Sequence, residues 1–233
     1  MMRRHIQRFA GPGLIAFGLA ACSHATQQAS AGTSPAPRLA GYGAAEQVAI
    51  AKARADSAVR PYTAADVHFM TGMISHHAQA ILMAKWAPTH DASPSVRTLC
   101  ERIINAQQDE IALMQQWLRD RQQPVPEAKP VPMKMMMNGM EMNTLMPGML
   151  SDEQLKTLDA ARGTAFDRLF LTDMIQHHKG AVSMVADLVA SPGGAQDDFV
   201  FKIASDINVD QTTEINRMER MLFMMSLEHP GSR

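Results

Sequence analysis

The sequence predicts an all-α fold, a four-helix bundle made of two duplicated helical hairpins. Three observations point there. Apolar residues recur at helical spacing over long segments, those segments open with capping residues, and the second half of the pattern repeats the first. With 233 residues, 46% of them hydrophobic, the chain can bury a substantial core. A formal net charge of −1 offers no basic footprint, so nucleic acid is not expected as a partner. The 20 methionines are unusual, because thioethers ordinarily serve as sparse gap-fillers in a core.

At the N-terminus, Arg3, Arg4 and Arg8 precede "FAGPGLIAFGLAA", an apolar stretch too short to cross a bilayer as a mature helix. Residues 1–21 therefore read as a secretory signal. "LAAC", Leu19 to Cys22, resembles a bacterial lipobox, which makes Cys22 the expected lipidation site and the membrane a partner through a lipid anchor. The alternative is an ordinary signal followed by a chance cysteine. Lipidation of Cys22 would leave Cys100 without a disulfide partner. Ser23 favours the outer membrane over the inner. Residues 22–43 are rich in Ala, Ser, Gln, Pro and Gly, and read as a disordered tether.

The first helical repeat spans 44–123. It begins with a short helix near Glu46 to Val59, ended by Pro61. A long helix follows from about Ala64 to Ala87, with Thr63 as cap and Asp66 at N3. The next runs from its Ser93 cap, with Pro94 at N1, to about Arg121. A Pro/Met-rich linker occupies 124–150. The second repeat, 151–227, opens on the capping pattern "SDEQ", and 228–233 form a tail.

Shifting the chain by 101 positions lays "TAADVHFMTGMISHHAQAILM" on "TAFDRLFLTDMIQHHKGAVSM". His76 and His77 fall on His177 and His178, Met73 on Met174 and Met83 on Met184. A shift of 104 pairs Glu110 with Glu214 and Met114 with Met218. Each Met73/His76/His77 set stands at i, i+3 and i+4, so the thioether neighbours both imidazoles. Adjacent residues diverge by about 100°, and the apolar stripe through Met70, Ile74 and Ile81 directs His77 to the bundle centre with His76 on the next ridge. The imidazoles are either packed core groups or metal ligands. Two equivalent pairs favour ligation, because desolvating four imidazoles without a partner is costly. Glu110 and Glu214 either fix histidine tautomers from outside the ligand set, the role expected here, or serve as ligands themselves. Asp66 and Asp167 read as N3 caps, and His24, His68, His90 and His229 as surface residues.

In the linker, Met135, Met137, Met140 and Met142 belong to a run in which Asn138, Gly139, Asn143 and Pro147 prevent a sustained apolar face. The run either lays methionines over the bundle or forms a soft-ligand tract, since thioethers select Cu(I) or Ag(I). No nucleophile constellation, phosphate loop or cofactor motif appears, and no enzymatic activity is expected.

The pattern D-x-x-F-[ML]-x-x-M-I-x-H-H, followed about thirty residues later by Q-x-x-E-I-x-x-M, resembles domain of unknown function 305, a ferritin-like bacterial family that is often exported and often duplicated. Both copies together cover nearly all of residues 62–225. Some members are periplasmic copper binders. The resemblance therefore implies copper handling in the cell envelope, facing the periplasm. The ligands it implies are Met73, His76, His77 and Met114 in one copy, and Met174, His177, His178 and Met218 in the other. Gly72 against Asp173, and Met70 against Leu171, leave the equivalence of the two sites open. A mixed His/Met set favours Cu(I) and also admits Cu(II). The expected function is copper, or silver, sequestration by a lipoprotein. The alternatives are a di-iron or di-manganese oxidoreductase, for which the chain lacks any Glu-x-x-His, and an envelope scaffold without metal. A homodimer is open, and no motif specifies a protein that donates or receives the metal.

Overall fold

In the computed structural model, residues 62–137 and 140–228 are described, with only the backbone path given for 133–143. The signal, Cys22, the tether, the expected helix at 46–59, His24 and the tail with His229 lie outside the described residues. The four long helices are α1 (Ala64–Ala84), α2 (Pro94–Asp120), α4 (Gly163–Ala190) and α5 (Asp198–Glu228). A short α3 (Asp152–Ala160) precedes α4, and a 3₁₀ turn at Ala87–Thr89 follows α1. Packing runs α1 on α2, α4 on α5, and α1 on α4. The duplicated-hairpin bundle is therefore the architecture. Among the described residues no helix is long and apolar enough to cross a membrane.

Capping explains where the helices begin. Thr63 Oγ1 accepts from Asp66 N and Asp66 Oδ2 accepts from Thr63 N at 2.7 Å, a closed capping box; Ser151 and Gln154 make the same box at α3, and Ser93 caps α2. Asp66 does more than cap, since its Oδ1 accepts the Ala195 N–H from the other repeat at 2.7 Å. Asp167 differs from the expectation. Helix α4 starts at Gly163, so Asp167 lies past N3 and instead accepts the Ser93 N–H at 3.2 Å. The two equivalent aspartates thus stitch the repeats to each other.

Along every long helix, apolar residues are interrupted at the middle. Phe69–Ile74, Ile111–Leu118, Ala181–Leu188 and Val200–Ile207 contribute to one apolar cluster. Ala80–Ala84, Val96–Ile103, Phe166–Ile175 and Ile215–Met218 contribute to the other. Between them lie His76 and His77, Gln107 and Glu110, His177 and His178, and Gln211 and Glu214. A polar layer crosses the bundle at mid-height, and the apolar ends above and below it supply the hydrophobic drive for folding.

The linker departs from an irregular chain. β1 (Met133–Met137) and β2 (Met140–Thr144) pair antiparallel, with Met135 opposite Met142 and Met137 opposite Met140. This register places positions 133, 135, 137, 140 and 142 on one face of the ribbon.

Beyond the hairpin, the strap Met146–Leu150 lies across α4. Gly148 has φ +76°, a left-handed conformation natural for glycine. A Cβ added to Gly180 would stand 1.9 Å from the Pro147 carbonyl oxygen, so glycine alone admits the strap so close to the helix. The Gln79 carboxamide clamps the strap at Leu150, donating to its carbonyl at 3.0 Å and accepting its N–H at 2.7 Å.

Candidate metal centre

All four imidazoles of the repeated motif are fully buried at the crossing of α1 and α4. His76 and His177 face each other across the pseudo-twofold, with ring centroids 3.8 Å apart. His77 and His178 turn outward to the partner helix of their own hairpin, His77 Nε2 lying 2.7 Å from Glu110 Oε2 and His178 Nε2 2.6 Å from Glu214 Oε2. The expected orientation is thereby reversed, because His76 and not His77 reaches the centre. Helix α1 is buried nearly all round, so its apolar periodicity marks no single inward face.

The hydrogen bonds decide the tautomers. A carbonyl oxygen only accepts, so the 2.9 Å contact of His76 Nε2 with Pro147 O puts the proton on Nε2 and leaves the lone pair on Nδ1. His178 is fixed in the same way by the Glu214 carboxylate. The Glu110 carboxylate is equally close to His77 but lies off the direction of a good hydrogen bond, so Nε2 of His77 is left without a hydrogen-bond partner. Nδ1 of all four rings is buried with no protein partner, and His177 has none at either nitrogen.

Burial, and next the proximity of His77, push the His76 imidazole down to about 3, with the Pro147 bond acting against them. Burial, followed by His76, His178 and His77, holds His177 well below its ordinary range. These two rings are therefore neutral at neutral pH and present lone pairs. Burial also raises Asp173, the counterpart of Gly72, to about 6. Cys100 is buried and its thiol is pushed up to about 12, first by burial and then by Asp167, which removes it as a thiolate ligand.

Met73 and Met114 are fully buried in one apolar cluster, and Met174 and Met218 in the other. The methionines thus flank the histidine layer as two separate pairs rather than joining one eight-residue site. Side-chain positions of Met135, Met137, Met140 and Met142 lie outside the described residues. Among the described residues, no three His, Cys, Asp or Glu side chains converge as a ready-made metal cluster. Buried, unpartnered imidazole nitrogens next to thioethers suit a soft or borderline cation better than a carboxylate-bridged pair.

Of the other histidines, His68 is exposed as expected, but His90 is buried. Its Nε2 contacts Asp159 Oδ1 and the Asp159 carbonyl, both at 2.9 Å, and its ring lies against Trp86 and Phe166. Its loop position carried no trace of partners some seventy residues away. The Pro147 strap also escaped sequence reasoning; Gly148 beside Pro147 was the available signal.

A structure of a DUF305 protein from Streptomyces coelicolor, described as secreted, matches with a TM-score of 0.58 and 28% identity over 69% of this chain and 93% of that one. CopM in its Cu(II)-bound form matches with a TM-score of 0.52 and 29% identity, covering 69% of this chain and 97% of that one; CopM in its Cu(I)-bound and silver-bound forms matches similarly. An uncharacterized protein, L153, of Acanthamoeba polyphaga mimivirus is 39% identical over 56 residues, which span 24% of this chain and only 37% of the viral protein. Residues 66–222 match the family described as domain of unknown function 305, and they contain both histidine pairs and both Gln-x-x-Glu segments: the chain belongs to the DUF305 family.

Proposed function

We propose that this chain is a non-enzymatic copper-sequestering protein of the bacterial cell envelope, which also accepts silver. The observation that carries this reading is the set of four buried imidazoles with unpartnered Nδ1 atoms, two of them bonded at Nε2 to Pro147 and Glu214 and a third with its Nε2 beside Glu110. Nδ1 is then the donor atom, and the flanking thioethers of Met73, Met114, Met174 and Met218 bias the site toward Cu(I) while imidazole keeps Cu(II) admissible. The methionine ribbon captures the ion and the buried centre retains it. Likeness to CopM with Cu(I), Cu(II) and silver bound supports this choice of cargo. Likeness to a protein described as secreted supports an extracytoplasmic setting, where Cys22 supplies a lipid anchor.

The test is Cu(I) titration, at about pH 7 and about pH 5, of the wild type, of a His76→Ala/His77→Ala/His177→Ala/His178→Ala variant, and of a variant lacking residues 133–144. At neutral pH the quadruple variant is expected to lose the tight class of copper. In acid, where imidazole competes with protons and thioether does not, the ribbon's share should remain. Undiminished copper binding by the quadruple variant at neutral pH would show that the histidines are packing residues.

A further inference from the structure

The strap that follows the methionine ribbon covers a cavity of about 480 Å³ between α1 and α4. Its strap wall is Thr144–Pro147, so the cavity begins where β2 ends and stops at the residue whose carbonyl holds His76. His68 lines it from α1, Met184 from α4 and Met146 from the strap. His68 is exposed, Met184 half-buried and Met146 buried. Among the described residues no hydrogen bond or ion pair ties up the His68 ring. Asp187 adds a carboxylate, and no lysine or arginine stands among the described residues lining the cavity. The set is not a product of the duplication. His68 falls on Leu169 in the second copy, Met184 falls on the fully buried Met83 in the first, and Met146 lies in the linker between the copies. Packing alone would be served as well by an apolar side chain at position 68, as Leu169 shows at the equivalent place.

We propose that His68, Met146 and Met184 form an outer site for a soft monovalent ion, Cu(I) or Ag(I), through which the metal passes to the buried centre. One imidazole and two thioethers are a donor set that favours these ions over Mg²⁺ or Ca²⁺. The thioethers are neutral, and the Asp187 carboxylate offsets the ion's single charge. His68 stands eight residues before His76 on α1, about 12 Å along the helix, and Met184 seven residues after His177 on α4, about 10 Å. These donors are too far away to join the buried centre. They lie between the end of the ribbon at Thr144 and the Pro147 carbonyl that holds His76. The inference rests on the copper reading of the chain and names the point of entry to that same centre.

The experiment adds Cu(I), without oxygen, to the metal-free full chain carrying ¹³C-methyl methionine. Met146→Leu and Met184→Leu, both close to volume-conserving, assign the two methyl signals. In wild type both signals should shift over the same range of Cu(I). His68→Gln, at an exposed position, should weaken that response at least about tenfold by removing one donor. In stopped-flow transfer from a chelator, a Met146→Leu/Met184→Leu variant should fill the buried centre at least about fivefold more slowly. Its equilibrium affinity at that centre should equal the wild type's, which also reports that the variant is folded. Methyl signals of Met146 and Met184 that stay in place at saturating Cu(I) would show that no ion binds in the cavity and would overturn the proposal. A filling rate equal to wild type would overturn the passage. The copper reading fails on a different result, undiminished tight binding by the quadruple histidine variant, so the two failures are distinguishable.

Discussion

Acidifying the metal-free protein from about pH 7.5 to pH 5 should destabilise it, and the two central histidines set the size of the effect. Unfolded, each imidazole titrates near 6.5; folded, His76 is held near 3 and His177 well below 6.5, in both cases chiefly by burial. Above 6.5 neither state is protonated at these rings. Below it the unfolded chain takes up protons that the native protein refuses, so the unfolded state binds more and stability falls with pH. At pH 5 the loss is about 2 kcal/mol for His76, and His177 adds to it in the same direction. Asp173 works the other way. Its carboxyl is raised to about 6, so the folded state binds its proton first and regains about 1 kcal/mol over the same interval. His76 set against Asp173 leaves a net loss of about 1 kcal/mol, which His177 deepens, a sizeable part of an ordinary domain's stability. Urea unfolding followed by circular dichroism at the two pH values measures it. A His76→Gln/His177→Gln variant, whatever its baseline, should become flat or slightly more stable in acid. Wild-type stability that is unchanged at pH 5, or a variant with the wild-type slope, would refute the assignment of these rings as buried and neutral.

Gly180→Ala should cost about 2–4 kcal/mol in urea unfolding despite alanine's better helix propensity. Its Cβ displaces the Pro147 carbonyl from His76 and loosens the Gln79 clamp; stability equal to wild type would count against the strap's seating. Glu214→Gln should lower Cu(I) affinity about 10- to 100-fold in competition with a chelator, because this carboxylate holds His178 by a hydrogen bond, whereas Glu110→Gln should lower it less. Replacing Cys22 with Ser should release the mature chain from membranes on fractionation, and persistent membrane association would reject lipidation there.

The duplication was legible because identical chemistry recurs at shifts of 101 and 104, and the caps were legible because Thr63, Ser93 and Ser151 act on residues three positions away. A glutamate facing each histidine pair followed from the same repeats, but which ring it meets did not. Long-range partners were not legible. His90 is buried by Asp159 and Phe166, and Asp167 bonds Ser93, contacts that exist only after the hairpins dock. Which histidine faces the centre was hidden by the nearly uniform burial of α1. The β-hairpin did leave a signal, Asn-Gly at 138–139 between two five-residue runs, a dipeptide favoured between paired strands.

The Pro147 strap has a consequence for symmetry. A bundle made from two equal halves would offer two interchangeable metal positions, but one linker can seat against only one of two equivalent spots. It gives His76 the Pro147 carbonyl as an acceptor and offers His177 no equivalent, so the fused copies hold chemically distinguishable rings. One ring has its donor atom chosen in advance by the linker, whereas the other does not. Successive ions would then enter in a preferred order, and ¹⁵N spectra of the imidazoles would resolve two environments where a true dimer of single copies would give one.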